Sequence, residues 1–256
     1  MRSVFISHGA PTLPFEDVAA RHFLEGLGSD YQRPKAIVVV SAHWETRIPM
    51  VNAVERNDTI HDFYGFPSKL SEMSYSAPGS PELAERIVDL LSDAGMTVGI
   101  DRSRGLDHGA WVPLSLAYPA ADIPVVQLSV QSHLGPGHHL ELGRALSTLP
   151  DDDILVMASG SMTHDLSSWK GAIDREEPDW VTAFAEWTDA ALLEERTCDL
   201  LAYRNGAPFA ERNHPTEEHF LPLFVALGAA GPQAKAQRIH SSTTYGILRM
   251  DAYAFN

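Results

Sequence analysis

Apolar positions along the chain follow two periods. The most apolar run, Lys35 to Val40, enters from Pro34 and places Ile37, Val38, Val39 and Val40 in unbroken succession, the pattern of a strand covered on both faces. Shorter runs at Val4 to Ile6, Met96 to Ile100, Ile123 to Val130 and Asp153 to Ala158 predict further strands, with Pro124 at the start of its strand, where proline is tolerated. Between them the period lengthens. Phe15 to Leu27 carries Val18, Phe23 and Leu27 and closes at Gly28. Ser80 is placed to cap a helix with Pro81 in its first turn, followed by Leu83, Ile87, Leu90, Leu91 and Ala94. Leu140, Ala145, Leu146 and Leu149 mark another helix. Pro178 to Glu195 presents Trp180, Phe184, Trp187 and Ala191 as a core-facing stripe. Phe220, Leu223, Phe224 and Leu227 form a last helix closed by Gly228, and Tyr245 to Phe255 alternates as a terminal strand. Strands interleaved with helices predict an α/β fold, a central, mostly parallel mixed sheet flanked by helices.

Composition narrows this. Apolar residues make up 44% and charged residues 21% of 256, and no linker interrupts them, so residues 1–256 read as a single domain folding by burial. With 19 basic against 34 acidic residues the net charge is −15, which disfavours nucleic acid and anionic membrane as partners and favours a small molecule. The lone Cys198 excludes an intramolecular disulfide and a cysteine-based zinc site, and fits a reducing, cytoplasmic setting. The run after Met1 is too short for a signal peptide, and no stretch approaches the roughly 20 apolar residues a membrane helix needs.

Phosphate loops, dinucleotide fingerprints, H-E-x-x-H and G-x-S-x-G elbows are all missing. What remains is a set of histidines. His8 in Ser7-His8-Gly9-Ala10-Pro11, His43 in Ser41-Ala42-His43-Trp44-Glu45-Thr46 and His164 in Ser159-Gly160-Ser161-Met162-Thr163-His164-Asp165 each follow a predicted strand. His108 is expected in a loop between Gly105 and Gly109, glycines that suggest close backbone approach. His219 is expected near the first turn of the last helix. In open α/β sheets the carboxyl rim is where ligands bind, so parallel neighbours would bring several imidazoles together there. Three neutral imidazoles on a divalent metal leave open positions and a charge near +2, suited to a chelating or anionic substrate; unrelated loop histidines are the competing reading. His133, His138 and His139 read as solvent-facing or capping residues, and His22 as a surface or helix-packing one. The segment Asp58 to Pro67, with Phe63, Tyr64 and Phe66, reads as a folded aromatic loop, either a lid over an apolar ring or a plug beneath the sheet.

Taken in order, Ser7-His8-Gly9-Ala10-Pro11, Val40-Ser41-Ala42-His43-Trp44, His61-Asp62-Phe63-Tyr64-Gly65-Phe66-Pro67, Leu106-Asp107-His108-Gly109-Ala110-Trp111, Ala158 to Asp165 and Pro215-Thr216-Glu217-Glu218-His219-Phe220 run nearly end to end. In these motifs the chain resembles the class III extradiol ring-cleaving dioxygenases, in the DOPA 4,5-dioxygenase-like subgroup. The resemblance implies a non-haem Fe(II) held by His8, His43 and His219, with His164 as acid/base and His108 lining the substrate site. The chemistry it implies takes a catechol and O2 as substrates, and the aromatic loop of Phe63, Tyr64 and Phe66 is then expected to cover the ring. Many members of the wider class use a glutamate in place of the third histidine, so Glu217 and Glu218 compete with His219 for that place. Asp165 stands where the subgroup often has asparagine, and is expected to orient His164 or raise its basicity. Zn(II) binds such sites more tightly than iron and is expected in purified protein. A zinc-dependent hydrolase on the same three histidines and a non-catalytic binding protein of the same fold are the alternatives.

Overall fold

β-branched side chains fill the middle strands, and their alternation feeds two separate faces of one sheet. The computed structural model describes residues 1–256. The strands are β1 (Ser3–Ser7), β2 (Ala36–Glu45), β3 (Met50–Asn52), β4 (Gly99–Asp101), β5 (Val125–Val130), β6 (Ile154–Gly160), β7 (Ala236–His240), β8 (Thr243–Thr244), β9 (Leu248–Arg249) and β10 (Ala252–Phe255). Helices are α1 (Ala19–Asp30), α2 (Ser68–Ser71), α3 (Pro81–Asp93), α4 (His108–Ala117), α5 (Gly135–Ala145), α6 (Asp179–Leu193), α7 (Thr197–Leu201), α8 (Tyr203–Gly206), α9 (Ala210–Asn213) and α10 (Leu221–Ala229). No helix is long and apolar enough to cross a membrane.

Eight strands form one mixed sheet in the order β4-β3-β5-β2-β6-β1-β10-β7. Its centre, β5-β2-β6-β1, is parallel: Val38 lies opposite Val126 on one side and Val156 on the other, and Ile6 lies opposite Ser159. β10 runs antiparallel to β1, β7 to β10 and β3 to β5. Ile37, Val39, Val4 and Ile6 pack with Leu24 and Leu27 of α1 and Trp111 and Leu114 of α4. Val38 and Val40 face the other way, onto Leu83 and Ile87 of α3, Leu142 of α5 and Val225 of α10. The expected α/β domain is therefore observed, with both faces of the sheet covered. Trp180 and Phe184 are core residues, as their spacing suggests.

Several boundaries differ for physical reasons. β2 continues past Val40 to Glu45, so His43 lies within the strand and not beyond it. His108 opens α4 instead of sitting in a loop; Gly109 and Pro113 mask that helix in the sequence, but Asp107 caps it by accepting from the Ala110 amide at 3.2 Å. The expected terminal strand is divided, because Tyr245 (φ 59°) and Gly246 (φ 72°) turn the chain between β8 and β9 before β10 begins.

His139 is the clearest correction. It is fully buried in α5, its Nδ1 donating to the Gly135 carbonyl at 2.7 Å and its Nε2 accepting from the Gln131 amide at 3.1 Å. That pairing requires the neutral ring, and burial brings its pKa down to about 4 despite the Gly135 bond, which acts in the opposite direction. Between about pH 6.5 and 4 the unfolded chain binds a proton that the folded one refuses, so this group stabilises the fold at neutral pH and loses its contribution on acidification. The contribution is on the order of 3 kcal/mol. Thermal melts from pH 7 to 4 should show a shallower loss of stability in His139→Gln than in the wild type; equal slopes would refute the assignment.

Candidate active site

The parallel register sets the site. Ser7 at the end of β1 lies opposite Gly160 at the end of β6, and Ser41 of β2 lies opposite Ser159, so the carboxyl ends of β1, β6 and β2 form one rim. His8 follows β1 directly. His43 is turned out by an irregularity in β2: from Val40 to Glu45 the strand advances five residues while its partner advances two, from Leu128 to Val130. The backbone of His219, two residues before α10, is tied to the same rim by the Ser161 amide, which donates to its carbonyl at 2.8 Å.

At this rim the ring nitrogens converge. His8 Nε2 is 2.9 Å from His43 Nε2, which is 3.3 Å from His219 Nε2. The other nitrogens fix the tautomers. The Ser159 hydroxyl gives its proton to the Gly109 carbonyl and so accepts from His8 Nδ1 at 3.0 Å. Glu218 Oε1 accepts from His219 Nδ1 at 2.9 Å. His8 and His219 therefore point lone pairs, not protons, at His43. Burial, then the neighbouring imidazoles, hold both well below the usual histidine range, and burial brings His43 down to about 3. Neutral, clustered, hydrogen-bonded imidazoles are what a metal requires of its ligands. His8, His43 and His108 also offer ring nitrogens within 4.8 Å of one another, and the rings of His164 and His219 with a carboxylate oxygen of Glu218 form a second such group. The cluster can thus hold a metal ion.

His108 is held by Asp62, which accepts from its backbone amide at 2.9 Å and lies 3.0 Å from its Nδ1. Burial alone would raise the Asp62 carboxyl, but its hydrogen bonds and charge interaction with His108 bring it down to about 2. His164 stacks on His219 with ring centres 3.4 Å apart and an interplanar angle of 13°. Burial brings His164 to about 4, so its ring is neutral near pH 7. Asp165 does not orient His164: its carboxylate caps the following turn, accepting from the Ser167 amide at 3.1 Å and the Ser168 hydroxyl at 2.6 Å. Glu217 faces away, bound by the Tyr203 hydroxyl at 2.9 Å and Arg204 at 3.4 Å.

His8, His43, His108 and His164 open into a cavity of about 480 Å3 whose walls include Phe63, Tyr64 and Phe66. Phe63 meets the His108 ring edge-on at 5.9 Å and packs against Phe66 at 5.4 Å. Of the expected site residues only His219 is absent from the wall, lying beneath the others. Sequence reasoning gave no role to Asp62, Ser159 or Trp169. Asp62 and Ser159 stand inside quoted motifs, but Asp62 lies 46 residues from His108 and Ser159 lies 151 from His8.

Gly109 lets α4 approach β2, since a Cβ there would stand 2.6 Å from Ser41 Oγ and 2.9 Å from His43 Cδ2. Gly109→Ala should displace His43, costing about 1–3 kcal/mol of stability and weakening metal binding. Unfolding midpoints with metal titrations check this, and an unchanged metal affinity would show that His43 tolerates the displacement.

Residues 4–255 match the family described as the catalytic LigB subunit of aromatic ring-opening dioxygenase. The chain belongs to this family. It is 50% identical over 255 residues to the 4,5-DOPA dioxygenase extradiol of Beta vulgaris, covering 98% of this chain and 95% of that one. The protein of the same description from Escherichia coli K12 is 42% identical, covering 90% and 85%. The crystal structure of an uncharacterized E. coli K12 protein superposes with a TM-score of 0.81 at 36% identity, covering 98% of each chain. The protein is accordingly an extradiol aromatic ring-opening dioxygenase.

Proposed function

We infer that the chain uses Fe(II) and O2 to open the ring of a catechol next to its diol, and that His8, His43 and His219 hold the iron. The observation that carries this reading is the set of Nε2 separations, 2.9 and 3.3 Å. Metal–nitrogen bonds of about 2.0–2.1 Å place neighbouring ligand nitrogens about 3.0–3.4 Å apart. His219 is preferred over His108 as the third ligand because its Nε2 is turned to His43, while Asp62 anchors His108 at the cavity wall. Glu218 acts through His219 by accepting its Nδ1 proton.

When bound, the iron supplies positive charge for a chelating catecholate and a redox-active centre for dioxygen. The protein's own groups do the rest. His164 takes a catechol hydroxyl proton and returns it after ring opening; its neutral ring faces the cavity at the edge of the ligand cluster. His108, fixed by Asp62, lines the substrate oxygens from the other side. Phe63 and Phe66 pack on the substrate ring and Tyr64 stands at the mouth. The names of the relatives support a DOPA-like catechol and cleavage at the 4,5 bond, and the single exposed cysteine supports a cytoplasmic setting. Zn(II) is the competing occupant in purified protein.

Anaerobic reconstitution with Fe(II), followed by a catechol panel under oxygen, should give a yellow semialdehyde-type product with matching oxygen uptake. If every catechol fails while the zinc form cleaves an ester or amide, the hydrolase reading replaces this one.

A further inference from the structure

We propose that His214 is a positioning residue for ring opening: its buried imidazole holds the Met162 carbonyl and so sets the loop that carries His164 against the His219 ring. This rests on the ring-opening reading, in which His164 moves the catechol proton. With the Asp165 carboxylate committed to the following turn, the His164 ring is placed by its own backbone and by its stack on His219. What fixes that backbone fixes the proton carrier.

The loop from Ser161 to His164 lies along the segment that leads to His219. Ser161 gives its amide proton to the His219 carbonyl at 2.8 Å, and His164 gives its own to the Asn213 carbonyl at 2.8 Å. Between these two bonds His214 Nε2 donates to the Met162 carbonyl at 2.9 Å. The three bonds give the two segments one register, in which the His164 and His219 ring centres lie 3.4 Å apart. From the other side the Ser7 hydroxyl accepts from the Met162 amide at 3.0 Å, and the Thr163 hydroxyl donates to the Ile247 carbonyl at 2.8 Å. Met162 is thus held at its amide by β1 and at its carbonyl by His214.

Packing alone does not account for an imidazole at this place. His214 is fully buried, with the Phe220 ring centre 4.9 Å and the Phe184 ring centre 5.4 Å from its own. Burial brings its pKa down to about 3 against the opposing effect of the Met162 bond, so the ring is neutral and its one proton sits on Nε2. Nδ1 then carries a buried lone pair with no partner, whose lost hydration nothing offsets. A leucine among the same aromatic rings would avoid that penalty. What it could not supply is the proton that Met162 accepts.

Three variants separate the hydrogen bond from the packing. Leucine suits the aromatic surroundings but has no donor, asparagine is polar but too short to reach Met162 as Nε2 does, and glutamine carries its amide nitrogen about as far out as Nε2. His214→Leu and His214→Asn should lower kcat about 10–100-fold. Their metal content, and their catechol affinity by calorimetry on zinc-loaded protein, should stay near the wild-type values. His214→Gln should keep most of the wild-type kcat. Crystal structures of the zinc-loaded variants should show His164 displaced from its stack on His219 in the first two and in place in the third. Wild-type kcat in His214→Leu or His214→Asn would overturn the proposal, and so would a His164 still stacked in both. Equal loss in all three variants, loss of metal along with activity, or failure of both His214→Leu and His214→Asn to fold would make His214 a packing residue and overturn its positioning role. If iron-loaded wild-type protein cleaves no catechol, the ring-opening reading fails, while the crystal structures still decide whether His214 places His164.

Discussion

His219→Ala is expected to strip the metal from the protein and abolish ring opening, whereas Glu218→Gln is expected to retain it with affinity about 10–100-fold weaker. The contrast follows from the tautomers. His219 directs an Nε2 lone pair at His43 across 3.3 Å, and only its Nδ1 meets the Glu218 carboxylate, at 2.9 Å. Removing the ring removes a donor. Replacing the carboxylate by an amide leaves the ring but weakens the acceptor that fixes its orientation and raises its basicity. Metal content after dialysis against a graded chelator, with His108→Ala as the third variant, separates the two overlapping triads. His108→Ala should keep its metal and bind catechol poorly. If His108→Ala loses the metal and His219→Ala retains it, the ligand set is His8, His43 and His108, and His219 is a packing residue beneath it.

The parts of this site visible in the sequence are those that each strand carries by itself. Ile37 to Val40 can be read as a strand covered on both faces because four consecutive apolar residues satisfy no one-sided sheet, and α1 and α4 cover one face while α3, α5 and α10 cover the other. His8, His43 and His164 could be read as rim residues because each lies at the exit of such a run. Pairings across the fold were not legible. Asp62 meets His108 through the packing of the aromatic loop on α4, and Ser159 meets His8 because β1 and β6 are neighbours although most of the chain separates them. Polar pairs of this kind carry no periodicity. Tyr245 is obscured for a different reason: its apolar neighbours alternate like a strand, but its left-handed backbone, rare for such a residue, breaks the alternation and joins its hydroxyl to Glu16. The burial of His139 is hidden by its surroundings, since a Gly/Pro-rich turn implies solvent where the Gln131 amide and the Gly135 carbonyl enclose the ring.

His164→Ala is expected to lower kcat by about 10²–10⁴-fold while metal content and catechol affinity stay near the wild-type values. The argument is one of geometry first. His164 lies face to face with His219 at 3.4 Å and 13°, a stacking that aligns the planes of the two rings while only His219 is joined by its Nε2 to His43. Its ring borders the cavity, and Asp165 is committed to the following turn, so no carboxylate is hydrogen-bonded to His164 to hold it as an imidazolium. A neutral imidazole at that place accepts a catechol proton and, once protonated, can return it to the opened product; alanine can do neither. Rescue separates this role from a structural one. Added imidazole should restore part of the lost turnover in His164→Ala, since the cavity left beside His219 opens toward solvent, and should do nothing for His219→Ala, whose defect is metal loss. Were His164→Ala to lose its metal along with its activity, His164 would belong to the ligand set, and proton transfer would pass to His108, the remaining imidazole on the cavity wall that Asp62 already orients.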